Sequence, residues 1–233
     1  MSSIALNAGL NRISGFYESI IGKKVVMAVT GFILFGFVLT HMVANLQVFL
    51  PPGPDGVHAL DRYAEHLRAL PPLLWGTRFV LLVSVIMHIV AAVQLARLNK
   101  LEARTTRYVK YTPIASNYAS RTMVWSGPII FFYIIYHLLD LTFGKVNPAF
   151  EPGMVYHNLV ASFQQPAVAV FYIVANILLA MHIYHGVWSM CQTLGISHPK
   201  YTPILKRASA IFAILIGLGF CSVPLAVLAG VLK

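Results

Sequence analysis

Four histidines, His41, His88, His137 and His182, each lie inside a different long apolar run of this 233-residue chain. An imidazole in hydrocarbon is costly unless something holds it, so a histidine there marks a functional site by default. Neutral imidazole is also the commonest side-chain ligand for a transition metal. A fifth candidate, His185, follows His182 by three residues on the same run. The two project from nearby faces of a helix, and spacing alone does not decide between them.

The runs that carry these residues must be membrane helices. The chain is 58% apolar and 10% charged, against about 25% charged in a soluble domain. The net charge of +10 does not point to nucleic acid, because the basic residues fall in the gaps between apolar runs. Five segments reach the roughly twenty residues a bilayer requires: Val25–Leu50, Leu73–Arg97, Val124–Phe143, Ala167–Gln192 and Ala208–Leu232. They are continuously apolar and do not alternate, which excludes strands. The expected fold is therefore an all-α membrane protein, one domain over residues 1–233, with five transmembrane helices of which four form a cofactor-binding bundle. Prolines mark the boundaries at Pro51, Pro52, Pro54, Pro71, Pro72, Pro148, Pro152, Pro199 and Pro203. The first connection can form an interfacial helix over Leu60–Leu70, with Tyr63, Leu67 and Leu70 on one side. Cys191 and Cys221 are isolated and read as small buried residues. The first twenty residues are too polar for a signal-peptide core.

Orientation follows from basic residues, which favour the cytoplasmic side. One side holds twelve, from Arg12, Lys23 and Lys24 through the second and fourth connections, and the other holds five. The N-terminus is thus expected in the cytoplasm. At about 1.5 Å per helical residue, His41 and His137 lie roughly 24 and 20 Å from the inner edge, and His88 and His182 about 14 and 15 Å. His41 and His137 form an outer layer, and His88 and His182 an inner one.

Two pairs, each drawn from two helices, suit two haems with an imidazole on either side of each iron, since bundle cores build cofactor sites from facing helices. Such saturated iron carries electrons and does not bind oxygen. A single four-histidine metal site is disfavoured by the difference in depth. Three other readings stay open at this point: a haem-free transporter or channel with histidines on its pathway, a haem b anchor of another respiratory complex, and a structural anchor without haem.

The ordered motifs resemble a known family. They are Met27-Ala28-Val29-Thr30-Gly31, Thr40-His41-Met42, Asn45-Leu46-Gln47, Tyr63-Ala64, Leu67-Arg68, Arg78 followed by His88, Ser120-Arg121-Thr122-Met123, Trp125-Ser126-Gly127, His137-Leu138, His182, His185-Gly186, Trp188-Ser189 and Gln192-Thr193-Leu194-Gly195. Together they are similar to the cytochrome b558-type (dihaem) membrane-anchor subunit of succinate dehydrogenase (succinate:quinone oxidoreductase), which is also related to the anchor of fumarate reductases. The resemblance runs from Gly22 to the last helix.

It implies two haems b, with His41, His88, His137 and His182 as axial ligands. Gly186, four residues after His182, selects His182 over His185. The resemblance also implies a flavoprotein subunit and an iron–sulfur subunit docked on the cytoplasmic face. Electrons would pass from the iron–sulfur subunit through the haems to a membrane quinone, menaquinone or ubiquinone, or in reverse during fumarate reduction. The chain itself holds no dinucleotide fingerprint and no cysteine cluster, so succinate chemistry would belong to the partners. Quinone reduction needs protons and hence a titratable group near the headgroup. Glu65, His66 and Asp140 are the candidates on the outer side, with an inner quinone site left open. Haem propionates need basic or hydroxyl partners. Arg121 ranks first among the candidates, with Ser126, Lys24 and Lys23 on the inner side and Arg78 on the outer. The expected location is a bacterial inner (cytoplasmic) membrane.

Overall fold

The computed structural model describes residues 15–99 and 118–233, with the side chains at 118–122 and 124 outside the described set. Seven α-helices occur among these residues, and no strand. They are α1 (Ile20–Asn45), α2 (Ala59–Arg68), α3 (Pro71–Arg97), α4 (Tyr118–Leu141), α5 (Val155–Phe163), α6 (Pro166–Thr193) and α7 (Thr202–Leu228). A 3-10 turn, Leu46–Phe49, extends α1. Helices α1, α3, α6 and α7 are long and apolar enough to cross a bilayer, and the chain is a multi-pass membrane protein. The apolar part of α4, Trp125–Leu141, is shorter.

Local chemistry explains the boundaries and shifts several expected ones. Helix α1 starts five residues early because Ser19 caps it, its Oγ accepting from the Gly22 N–H at 2.9 Å. Proline occupies the first turn of α3, α6 and α7, where its missing N–H costs nothing. Pro203 therefore opens α7 six residues before the expected Ala208. Lys206 falls inside the helix, its ammonium 5.1 Å from the Trp188 ring centre on α6. Helix α7 ends at Leu228 instead of Leu232. Helix α4 ends at Leu141, where the Phe143 and Lys145 N–H groups turn back to Leu138 and Leu139 carbonyls. Gly144 then takes φ +63°, and a Cβ there would strike the Phe150 ring.

Helix α5 lies in the third connection, after the boundary prolines Pro148 and Pro152, where the sequence predicts no helix. It is too short to span, and it buries Leu159, Val160 and Phe163. The Tyr156 N–H donates to Asp61 Oδ1 on α2 at 2.9 Å, which ties the two short helices together. Helix α2 confirms a helix over the expected Leu60–Leu70 stretch but buries Leu60, while Tyr63 and Leu70 are exposed. The buried side differs because α2 docks on α5 and the end of α1 through Leu60.

The long helices form a row, α3–α1–α6–α4, with α7 packed behind α1 and α6. Met42, Ile183, Ala213 and Ile216 join α1, α6 and α7. A second cluster at the α5 end joins Val48, Leu60, Val160, Phe163, Tyr172 and Val223. At the opposite end the Tyr17 hydroxyl donates to Gln94 Oε1 at 3.0 Å, tying the start of α1 to the end of α3. Lipid tails are as apolar as leucine, so membrane helices associate through close packing at small residues. Gly217 of α7 supplies this: a Cβ there would lie 3.1 Å from Ala180 Cβ on α6. Gly217→Val is expected to cost about 1–3 kcal/mol by overpacking, lowering the thermal midpoint of the detergent-solubilised protein. Gly36→Ala, where a Cβ meets nothing within 4 Å, should leave that midpoint unchanged.

Candidate functional site

The histidines meet in two pairs. His41 of α1 and His137 of α4 have ring centres 5.9 Å apart with planes at 89°. His88 of α3 and His182 of α6 are 6.3 Å apart at 59°. In neither case do the two parent helices share an extended interface: among the described residues α1 does not pack along α4, nor α3 along α6. Each pair reaches across a gap between second neighbours in the row.

The separation has a chemical meaning. A metal–imidazole bond of about 2.0 Å, plus about 1.1 Å from nitrogen to ring centre, places two trans imidazoles on one metal about 6 Å apart. Both pairs have this spacing. No cluster of three or more His, Cys, Asp or Glu able to hold a bare metal ion occurs among the described residues.

Hydrogen bonds fix the tautomer of one ring. Thr30 Oγ1 donates its only proton to a backbone carbonyl, Val26 O at 2.7 Å. It therefore meets His88 Nδ1, 3.2 Å away, as an acceptor. The proton sits on Nδ1, and the Nε2 lone pair of His88 is left for a ligand. Ser126 Oγ lies 3.3 Å from His182 Nδ1. Such outer partners orient metal-ligating imidazoles. In the other layer, His41 stacks on Phe37 with ring centres 5.2 Å apart. His137 is enclosed by Tyr133 and Tyr172, each with its ring centre 6.0 Å from the imidazole, and its Nδ1 is buried without a partner.

These contacts also set the layer spacing. Thr30 and His41 are eleven residues apart on α1, and Ser126 and His137 are eleven apart on α4. That is about 16 Å along a helix, wider than the roughly 5–10 Å expected from estimated helix ends. The expected ends were too approximate to give the rise.

The remaining candidates scatter. Asp140 is 1% exposed and accepts two hydroxyl hydrogen bonds, from Ser162 and Tyr172. It lies apart from Glu65 and His66, which are exposed on α2. His66 lines an open cleft of about 570 Å³ with Gln47, Leu50, Arg62 and Tyr63. At its rim Arg62 pairs with Asp55 at 2.8 Å. The Val57 N–H, with help from the Arg62 guanidinium, holds the Asp55 carboxyl below the usual carboxylate range. Arg78 is exposed, its guanidinium 4.9 Å from the Trp75 ring centre. Lys24 is exposed, whereas Lys23 is tied to the Tyr17 and Glu18 carbonyls. Ser126 is buried on His182. The Arg121 side chain, and the basic connection residues Lys100, Arg104, Arg107 and Lys110, lie outside the described residues. Sequence reasoning gave no role to Thr30 or Gln47. A hydroxyl inside an apolar run was the available signal for Thr30.

Comparison of the chain with family models, with curated proteins and with solved structures finds no match.

Thr30→Val and Ser126→Ala each leave an imidazole of the His88–His182 pair without its Nδ1 partner. Either variant is expected to cost about 1–3 kcal/mol, the penalty of a buried polar group left unsatisfied, read as a lower thermal midpoint of the detergent-solubilised protein.

Proposed function

We propose that the chain is the dihaem cytochrome b membrane anchor of a succinate dehydrogenase, passing electrons between an iron–sulfur partner and a membrane quinone. The observation that carries this reading is the double pairing of histidines, each pair with ring centres about 6 Å apart, where the two imidazoles would hold one iron, and each drawn from helices that do not otherwise pack. Haem b, bound at a bis-histidine site, supplies one-electron transfer without oxygen chemistry. The chain's own residues do the rest. Thr30 and Ser126 orient the imidazoles of one layer. Tyr172 and Phe163, ring centres 4.8 Å apart, help keep water from the other.

For the quinone headgroup, the cleft of Gln47, Arg62, Tyr63 and His66 offers hydrogen-bond donors beside an imidazole able to exchange protons, with Glu65 on the same helix. Arg121, Lys24, Arg78 and Ser126 remain the basic or hydroxyl candidates for propionates. The flavoprotein and iron–sulfur subunits would dock at the cytoplasmic face of a bacterial inner membrane, where the excess of basic residues is expected. Four ligands on four helices favour this family over other quinone-linked haem b anchors, which more often pair two histidines on one helix. A haem-free transporter would show no Soret band.

A pyridine haemochrome assay with a protein determination is expected to find two haems b per chain, and none would sink the reading. His88→Ala and His182→Ala should remove one and the same haem, and His41→Ala and His137→Ala the other. His185→Ala should retain both.

A further inference from the structure

Asp140 is the residue whose placement the function above does not explain. It is 1% exposed, near the C-terminal end of α4. A carboxylate is disfavoured there twice, by burial and by the negative end of the helix dipole. No lysine, arginine or histidine forms an ion pair with it among the described residues, and it lines neither surface cleft. Its compensation comes from two hydroxyls, each delivered by a different helix. Ser162 of α5 donates to Oδ2 at 2.6 Å and Tyr172 of α6 donates to the same oxygen at 2.8 Å. Both distances are those of well-formed O–H···O hydrogen bonds.

Tyr172 leads directly to the histidine pair. Its ring is 2% exposed and packs at 60° on His137, with centres 6.0 Å apart. It also packs edge-on against Tyr133, at 5.3 Å, and Tyr133 is the other aromatic neighbour of His137. His137 has no hydrogen bond at Nδ1 to fix its rotation, whereas His88 and His182 each face a hydroxyl there. Something other than a hydrogen bond must orient His137, and the rings of Tyr133 and Tyr172 pack on it; of these two, Tyr172 is the one a carboxylate holds.

We infer that Asp140 is a positioning residue for the His41–His137 site: it holds the Tyr172 hydroxyl so that the Tyr172 ring sets the orientation of His137. The hydroxyl that faces Nδ1 of His88 and of His182 is replaced, in this layer, by a carboxylate acting through an aromatic ring. Ser162 is the second anchor of the carboxylate and reaches His137 only through it. This inference rests on the haem-anchor reading, since the orientation of His137 is read through the group it binds.

The test uses the purified complex and the low-spin electron paramagnetic resonance signals and midpoint potentials of its two haems, assigned by which signal His137→Ala and His88→Ala each remove. Tyr172→Phe keeps the ring and deletes the hydroxyl. It is expected to shift the signal and potential of the His41–His137 haem and leave the other haem unmoved. Asp140→Leu should shift the same signal further or abolish it. Asp140→Asn keeps an acceptor oxygen for Tyr172 and should restore the wild-type signal shape. Ser162→Ala should leave it in place. Unchanged signals in both Tyr172→Phe and Asp140→Leu would overturn the inference, as would equal disturbance of both haems in Tyr172→Phe. If Asp140→Leu does not assemble, Tyr172→Phe and Asp140→Asn decide. Wild-type protein without haem would remove the anchor reading, and this inference with it. Two haems with unresponsive signals would remove this inference alone.

Discussion

An imidazole surrounded by hydrocarbon has two nitrogens to satisfy, and the architecture follows from how each is met. On the His88 side the answer is local. A threonine spends its proton on its own helix and turns its oxygen to Nδ1, and the ring centre of a second imidazole lies 6.3 Å away. That requires a helix carrying Thr30 to stand beside the helix carrying His88, and α1 and α3 pack along each other accordingly. The same need places Ser126 of α4 beside His182 of α6. The row α3–α1–α6–α4 thus has His88 and His182 each supported by an adjacent helix and opposed by a more distant one. The supports join α1 to α3 and α4 to α6, and Met42 and Ile183 join α1 to α6.

The two layers solve orientation differently, and the difference tracks the surroundings. The His88–His182 layer uses hydroxyls within the bundle. The His41–His137 layer uses rings: Phe37 on one imidazole, Tyr133 and Tyr172 on the other. Ring packing is less directional than a hydrogen bond and needs support behind it. Helix α5 contributes Phe163 and Ser162 to that support. A nine-residue helix at the end of the bundle therefore contributes to the shape of a site it does not itself enter.

Much of this was legible in the sequence, and the failures have physical reasons. The long helices follow from apolar length. The pairing of His41 with His137 and of His88 with His182 follows from counting residues along antiparallel rods, because depth accumulates steadily whatever the side chains do. The layer spacing was underestimated because it depends on helix ends: Ser19 starts α1 five residues before Val25, and α4 starts at Tyr118, six before Val124. Helix α5 was missed because its apolar residues are few and flanked by prolines, so its stability comes from docking. Asp140 was grouped with Glu65 and His66 by nearness to one membrane face. Depth alone cannot say that a side chain points inward, and Ser162 and Tyr172 show that this one does.

Pro128, inside α4, separates Ser126 from His137. Helices α1 and α6 also touch both layers, at Thr30 and His41 and at His182 and Tyr172, but through uninterrupted helix between those points. Proline leaves the carbonyl one turn earlier without its helical donor and weakens the rod at that point. Mechanically, two stiff members and one jointed member then connect the layers. A displacement on the Ser126 side can be absorbed at the joint before it reaches His137. Changes of fit at one level of the bundle need not misalign the other.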